Sequence, residues 1–175
     1  MKLFVFMVHL IYVATKEVTM KKDIDYIIEQ NLIDNYDKYY RLAYSYVHNA
    51  SDAMDIVQEG AYKAILKSKS LSKPEYATTW IYRIMINETF SFLRKNSRDI
   101  TDITEIDIPK TDSYVDFDLE KALNSLEPMD KVIIDLRFFE DYKLEEIAEI
   151  IEENISTVKS RLYRSLRKLK VTLAE

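Results

Sequence analysis

Glycine occurs once and proline three times in the 175 residues, and cysteine not at all. Ordinary chains carry roughly 7% glycine and 5% proline. Turn-rich β architectures set Gly, Asn-Gly or Pro at their corners, so this scarcity points to an all-α chain. A single glycine, Gly60, excludes the phosphate-cradling loops, which need several. The lack of cysteine excludes disulfides, thiolate nucleophiles and cysteine zinc sites, and fits the reducing cytoplasm. The two histidines, His9 and His48, stand far apart and offer neither a metal cluster nor a triad. No cofactor, metal or catalytic residue is expected. An enzyme here would work with carboxylates alone, and no acid pair sits on an apolar helix face where its pKa would rise.

What is present is ordinary for a folded chain: 47% hydrophobic and 31% charged, with a net charge of −5. The length suits one domain or two small ones. An apolar run from Leu3 to Ala14, broken only by His9, falls short of the roughly 20 residues a membrane span needs. No convincing small-residue cleavage site follows it. Met20 is followed by Lys21-Lys22 and a fresh helical pattern, so residues 1–19 are expected to be an extension outside the fold.

Charge is unevenly placed. Asp99, Asp102, Glu105, Asp107, Asp112, Asp116 and Asp118 face only Lys110 in a stretch with Pro109 and little periodicity. This reads as an acidic linker over 99–117, joining domains over 20–98 and 118–175. Beyond Asn154 come Lys159, Arg161, Arg164, Arg167, Lys168 and Lys170, with no acid until Glu175. An acidic chain with one strongly basic end suggests a polyanionic partner for that end.

In the first domain, Asp23 to Val47 shows continuous helical spacing, and Tyr39, Tyr40, Tyr44 and Tyr46 are assigned to the core. Asn49 or Ser51 caps a second helix over about 52–68. There Val57, Ala61, Ala64 and Ile65 form the buried face, while Asp55, Gln58, Glu59 and Tyr62 share another. Periodicity alone leaves that polar stripe as a solvated face. Pro74 sets up a third helix over about 75–97, largely apolar. Its exceptions, Arg83, Asn87, Arg94 and Arg98, fall within about 60° of each other on a helical wheel. Such a stripe suits phosphate binding, and equally carboxylates on neighbouring helices.

In the second domain, helices are expected over about 119–126 and 128–139, with Val132, Ile133, Leu136 and Phe139 inward. A short helix follows, with Leu144, Ile147, Ala148 and Ile151 inward. Asn154 then caps a last helix with Val158, Leu162, Leu166, Leu169 and Leu173 as its seam. Two helices joined by a short turn, the second basic, form a helix-turn-helix, a winged-helix-like DNA-binding domain. Opposite the seam project Ser156, Ser160, Tyr163 and Arg167, flanked by Lys159 and Arg164. Small hydroxyls and cations suit a DNA major groove. A calmodulin-target or membrane-surface amphipath is the competing reading.

Four runs occur in order: Asp55-Ile56-Val57-Gln58-Glu59; Thr79-Trp80-Ile81-Tyr82-Arg83-Ile84 reaching Phe92-Leu93-Arg94-Lys95; Glu145-Glu146-Ile147-Ala148; and Thr157-Val158-Lys159-Ser160-Arg161-Leu162. Across residues 25–173 the chain closely resembles the extracytoplasmic-function group of bacterial RNA polymerase sigma factors. The resemblance implies that Asp55, Gln58 and Glu59 dock on core RNA polymerase. It implies that the segment from Leu71 to Thr79 captures a flipped base of the minus-ten element, with Arg83, Asn87, Arg94 and Arg98 holding the DNA. It further implies that Ser156, Lys159, Ser160, Tyr163, Arg164 and Arg167 lie on the helix that reads the minus-thirty-five element of promoter DNA. An anti-sigma factor is an implied further partner. The family usually has glycine in the helix-turn-helix turn; Glu152-Glu153 stand there, so the turn is expected to be built differently. Rival readings are a stand-alone helix-turn-helix regulator, which binds duplex DNA tightly without polymerase, and a partner-sequestering module, which leaves the basic helix unused.

Overall fold

Helices begin where the chain supplies acceptors for the unpaired amides of a first turn. In the computed structural model, which describes residues 24–99 and 116–173, α1 spans Ile24–Asp34, α2 Tyr36–Val47 and α3 Ala50–Leu66. Single 3-10 turns follow at Ser68–Ser70 and Pro74–Tyr76, and α4 spans Ala77–Asp99. Beyond the undescribed stretch come α5 (Asp116–Asn124), α6 (Pro128–Ile134), α7 (Leu144–Ile151) and α8 (Ile155–Thr172). No strand occurs among the described residues, so the helix-turn-helix is described without a β wing. The chain divides into two compact units, residues 1–88 and 89–175. That division falls within α4, the helix bearing the Arg83-to-Arg98 stripe. The expected extension, residues 1–19, lies outside the described residues, as do residues 100–115 of the expected linker.

In the N-terminal unit, the single helix expected over 23–47 is broken at Asn35, whose backbone sits at φ −109°, ψ 13°. The Asn35 side chain donates back to the Asn31 carbonyl at 3.0 Å, a local bond that competes with helix continuation. Asn49 caps α3, its Oδ1 accepting from the amides of Ser51 (2.8 Å) and Asp52 (3.1 Å). The inward face of α3 is Ala53, Ile56, Val57, Gly60, Ala61 and Ala64, with Ile65 only half-buried. Small residues let α3 approach α4. A Cβ built on Gly60 would lie 2.4 Å from Met85 Sδ, so the chain's one glycine is spent on helix packing rather than on a turn.

Tyr39 and Tyr82 fill the centre, both fully buried, their rings edge-to-face at 4.9 Å. The Tyr39 hydroxyl donates to Asn31 Oδ1 at 2.6 Å, and Asn31 Nδ2 donates to Thr78 Oγ1 at 2.6 Å, tying α1, α2 and α4 together. The other tyrosines do not join the core as expected. Tyr40 and Tyr46 are half-buried and Tyr44 is exposed. Tyr36, Tyr40 and Tyr44 instead stack along one side of α2, with centroids 6.3 and 5.9 Å apart, because residues four apart share a helix face. Trp80, the only tryptophan, is half-buried in this unit.

The C-terminal unit is built on Val132, Ile133, Ile134 and Leu136, with Ile147, Ala148 and Ile150 from α7 and Val158, Leu162 and Leu169 from α8. Leu144 and Ile151, expected inward, are half-buried. After α6 the backbone widens into a π turn over Asp135–Phe139, closed by Glu140 N–H to Asp135 O at 3.2 Å. The wide turn shifts the register, and Phe139 is 58% exposed rather than inward. Lys131 is buried in α6 and donates to Asn124 Oδ1 at 2.7 Å; burial pushes its ammonium below the usual lysine range, against the pull of Asp135 and Glu120. Burial also raises the Tyr142 phenol well above its ordinary value.

Candidate polymerase and nucleic-acid interfaces

The candidate surfaces are helix faces that the cores do not use, on α3 and α4 and on α8. On α3, Asp55 and Glu59 are exposed and Gln58 is partly so, on the face away from Val57 and Ala61. Glu59 lies 3.2 Å from Lys63 Nζ, which also bonds Glu88 of α4 at 2.6 Å. The hydrogen bond to Glu88 raises the Lys63 pKa, so this ammonium stays charged beside the stripe. Met54, Tyr62 and Leu66 extend the same helix's surface as exposed apolar groups, Leu66 at 67%. Sequence reasoning noted Tyr62 and overlooked Met54 and Leu66; the available signal was an apolar residue placed outside the buried spacing. Carboxylates and an amide beside exposed apolar side chains make a mixed surface of the sort that protein partners cover.

On α4, Asn87 and Arg94 are exposed and Arg83 is half-buried. Arg94 Nη2 lies 2.9 Å from Ser91 Oγ on its own helix. The Arg98 side chain lies outside the described residues. The helix is buried at Ala77, Ile81, Tyr82, Met85, Ile86 and Thr89, whereas Trp80, Ile84, Phe90, Phe92 and Leu93 are half-buried. In the preceding segment Leu71 is buried, residues 72–76 are exposed, and Lys73 Nζ sits 5.7 Å from the centroid of the Tyr76 ring. A ring and a cation at one exposed turn are groups on which an unpaired base stacks.

The second helix pair is set by its turn. The Glu146 carboxylate accepts from the Lys143 amide at 2.8 Å at the start of α7. At its end Glu152 adopts the left-handed conformation, φ 56° and ψ 39°, with its N–H bonded to the Ala148 carbonyl. The turn therefore has the usual glycine geometry with a glutamate in it, contrary to the expectation of a different build. Asn154 caps α8: its Oδ1 accepts from Thr157 N–H at 2.8 Å and from the Ser156 hydroxyl at 2.5 Å. An L side chain in the left-handed region costs about 1–2 kcal/mol. Glu152→Gly is expected to raise the stability of this unit by about 1 kcal/mol in chemical denaturation, offset slightly by the freer unfolded chain. An unchanged or lowered midpoint would show that the glutamate side chain stabilises the turn.

Along α8, Ser156, Lys159, Ser160, Tyr163, Arg164 and Arg167 are all exposed, Tyr163 at 64%. Among the described residues, no side chain ties down Lys159, Ser160, Tyr163 or Arg167. Arg164 differs: its Nη2 donates to Asp130 Oδ2 at 2.7 Å, and Arg161 Nη1 donates to Asp130 Oδ1 at 2.8 Å. The seam departs from the expected leucines. Leu166 and Leu173 are 36% and 49% exposed, and Ser165 is buried in their place. Its hydroxyl donates to the Arg161 carbonyl at 2.8 Å, which lets a polar residue face inward. Lys168 Nζ donates to the Ser125 carbonyl, fastening α8 to the end of α5.

Residues 32–99 match the family model described as Sigma-70 region 2, and residues 116–169 match Sigma-70, region 4. Among curated relatives, RNA polymerase sigma factor SigV of Bacillus subtilis (strain 168) is 45% identical over 148 residues, covering 82% of this chain and 89% of the relative. ECF RNA polymerase sigma factor SigW of the same strain is 28% identical over 165 residues, covering 83% and 88%. Among solved structures, the sigma factor RpoE from Bartonella quintana, in complex with the anti-sigma factor NepR, is similar with a TM-score of 0.70 and 29% identity, over 83% of this chain and 96% of that one.

Proposed function

The chain belongs to the sigma-70 family of RNA polymerase sigma factors, in its extracytoplasmic-function group, and from that premise we propose a division of labour between its two units. As a sigma factor it binds core RNA polymerase and directs promoter-specific initiation. The α3 face of Asp55, Gln58 and Glu59, with Tyr62 and Leu66 beside it, docks on the polymerase. The turn at 71–79 takes an extruded minus-ten base, for which the Tyr76 ring and the Lys73 ammonium supply stacking and charge. Extrusion costs a few kcal/mol, less once the strands are opening. Arg83, Asn87, Arg94 and Arg98 hold the strand or adjacent phosphates. Lys159, Ser160, Tyr163, Arg164 and Arg167 of α8 read the minus-thirty-five element, with Ser156 at the start of the same face.

The observation that carries this reading is the outward face of α8: exposed cations and hydroxyls on the second helix of a helix-turn-helix, in a chain whose net charge is −5. Two weak DNA contacts on one tethered chain combine through effective concentration, provided polymerase holds both units on the same promoter. The chain itself performs no bond chemistry in this scheme; the polymerase does, in the cytoplasm. An anti-sigma factor, like the one that accompanies the Bartonella relative, is a partner that would cover these surfaces. Among the described residues no helix is long and apolar enough to cross a membrane.

The test is run-off transcription with purified core polymerase, with and without this chain, across genomic promoters. Discrete start sites that require the chain are expected, and the chain alone should give no tight, specific complex with the same duplexes. Start sites unaffected by the chain would refute the proposal. Tight duplex binding without polymerase would favour a stand-alone regulator.

A further inference from the structure

The C-terminal unit buries a carboxylate, Asp130, for which promoter reading, as set out above, has no role. Asp130 lies in the first turn of α6, and its side chain is 5% exposed. Each of its oxygens takes one guanidinium from α8: Oδ1 from Arg161 at 2.8 Å, and Oδ2 from Arg164 at 2.7 Å. The two arginines differ in what they leave outside. Arg161 is 30% exposed at its side chain, whereas Arg164 is 65% exposed. Arg164 is therefore anchored at one nitrogen and open over most of its length. It lies beside Ser160 and Tyr163 on the helix, at the edge of the exposed face.

We propose that Asp130 is a positioning residue for promoter recognition: it holds the Arg164 guanidinium in one orientation, so that its remaining donors are presented to the DNA. The inference rests on α8 being the DNA-facing helix. A guanidinium carries five N–H donors in a rigid plane, and one bond to a carboxylate fixes that plane while leaving donors for a base edge or a phosphate. A loose arginine selects sequence poorly, because it follows whichever acceptor is near. A planar fork held in register can meet the paired acceptors of a guanine. Arg161, on the other oxygen, locks the carboxylate itself, so the anchor does not swing. The sequence separation of 34 residues between Asp130 and Arg164 hides this pairing from any local pattern.

The experiment uses holoenzyme assembled from core polymerase and the full chain. Retention is compared on a promoter fragment, on the same fragment with single base-pair changes in the minus-thirty-five element, and on non-promoter DNA. The parent, Asp130→Asn, Asp130→Glu, Arg164→Gln and the Asp130→Asn/Arg164→Gln pair are run side by side, each with a thermal melt. D130N and R164Q are each expected to reduce discrimination against the changed base pairs about fivefold to tenfold, at the lower end of what one good base contact supplies. D130N should leave retention on non-promoter DNA equal or higher, since it removes a negative charge. The double variant should discriminate no worse than R164Q alone. D130E keeps the charge paired and moves the anchor by one methylene, so it should fold and still lose discrimination; this decides the matter if D130N does not fold. The proposal is overturned if R164Q or D130E retains full discrimination, if D130N weakens promoter and non-promoter binding alike, or if D130N adds its full loss in the R164Q background. A parent holoenzyme blind to the minus-thirty-five changes would instead refute the reading of α8 itself.

Discussion

Alanine at both Lys159 and Arg167 is expected to lower promoter-directed transcription about a hundredfold and to leave affinity for core polymerase unchanged. Both side chains stand on the exposed face of α8, and no side chain among the described residues ties either down. Neither contributes to the packed seam of Val158, Leu162 and Leu169, so the unit's fold should survive their truncation. A base or phosphate contact is worth about 1–3 kcal/mol, and two such losses reach roughly a hundredfold. Run-off transcription gives the first quantity, and co-migration of chain and core on a sizing column gives the second. A parallel fall in core binding would show that α8 also serves the polymerase, and the proposed division between units would fail. Arg164 is left out of this pair because its bond to Asp130 would mix the loss of a DNA contact with the release of a buried carboxylate.

The second large effect concerns folding. Tyr39→Ala is expected to destabilise the N-terminal unit by about 3–5 kcal/mol, the range for deleting a buried aromatic ring. Tyr39 is fully buried, meets the Tyr82 ring edge-on, and donates to Asn31, which in turn bonds Thr78. Its removal leaves a cavity and an amide oxygen without its donor. Tyr39→Phe keeps the ring and loses the hydrogen bond, so about 1–2 kcal/mol is expected there. Chemical denaturation of both variants separates the two contributions. A cost below 1 kcal/mol for the alanine variant would mean that the three helices are held together by something else. Domains of this size are stable by about 5–15 kcal/mol in total, so this one change removes a large share.

Helix starts were legible where a capping side chain marked them. Asn49 and Asn154 both act as caps, and the helices that follow begin one residue later. The seam of α8 followed its spacing at Val158, Leu162 and Leu169. It failed at Ser165, because a serine that bonds its own helix carbonyl is buried without an apolar signature. The break at Asn35 was invisible, since apolar spacing runs through it and neither glycine nor proline marks it. Phe139 was misplaced because the π turn adds a residue that a 3.6-residue period does not contain. Tyrosines read poorly from spacing in general: Tyr39 and Tyr44 are the same residue type on one helix, one fully buried and the other 41% exposed. On the candidate surfaces, outward cations and carboxylates were plain in the sequence, but partners were not. Glu59 and Lys63 are four apart and legible as a helix pair, but Lys63 also bonds Glu88, and Arg164 leans on Asp130, both across distances along the chain that no motif spans.

Trp80 makes the two bodies separable by light. The only indole in the chain is half-buried in the N-terminal unit, while the C-terminal unit holds tyrosine as its sole strong near-ultraviolet emitter. Excitation at the red edge, where phenol does not absorb, reports on one body alone, whereas far-ultraviolet ellipticity sums the helices of both. Where the two melting curves diverge, the difference belongs to the body that carries α8, and each half can be followed without cutting the chain.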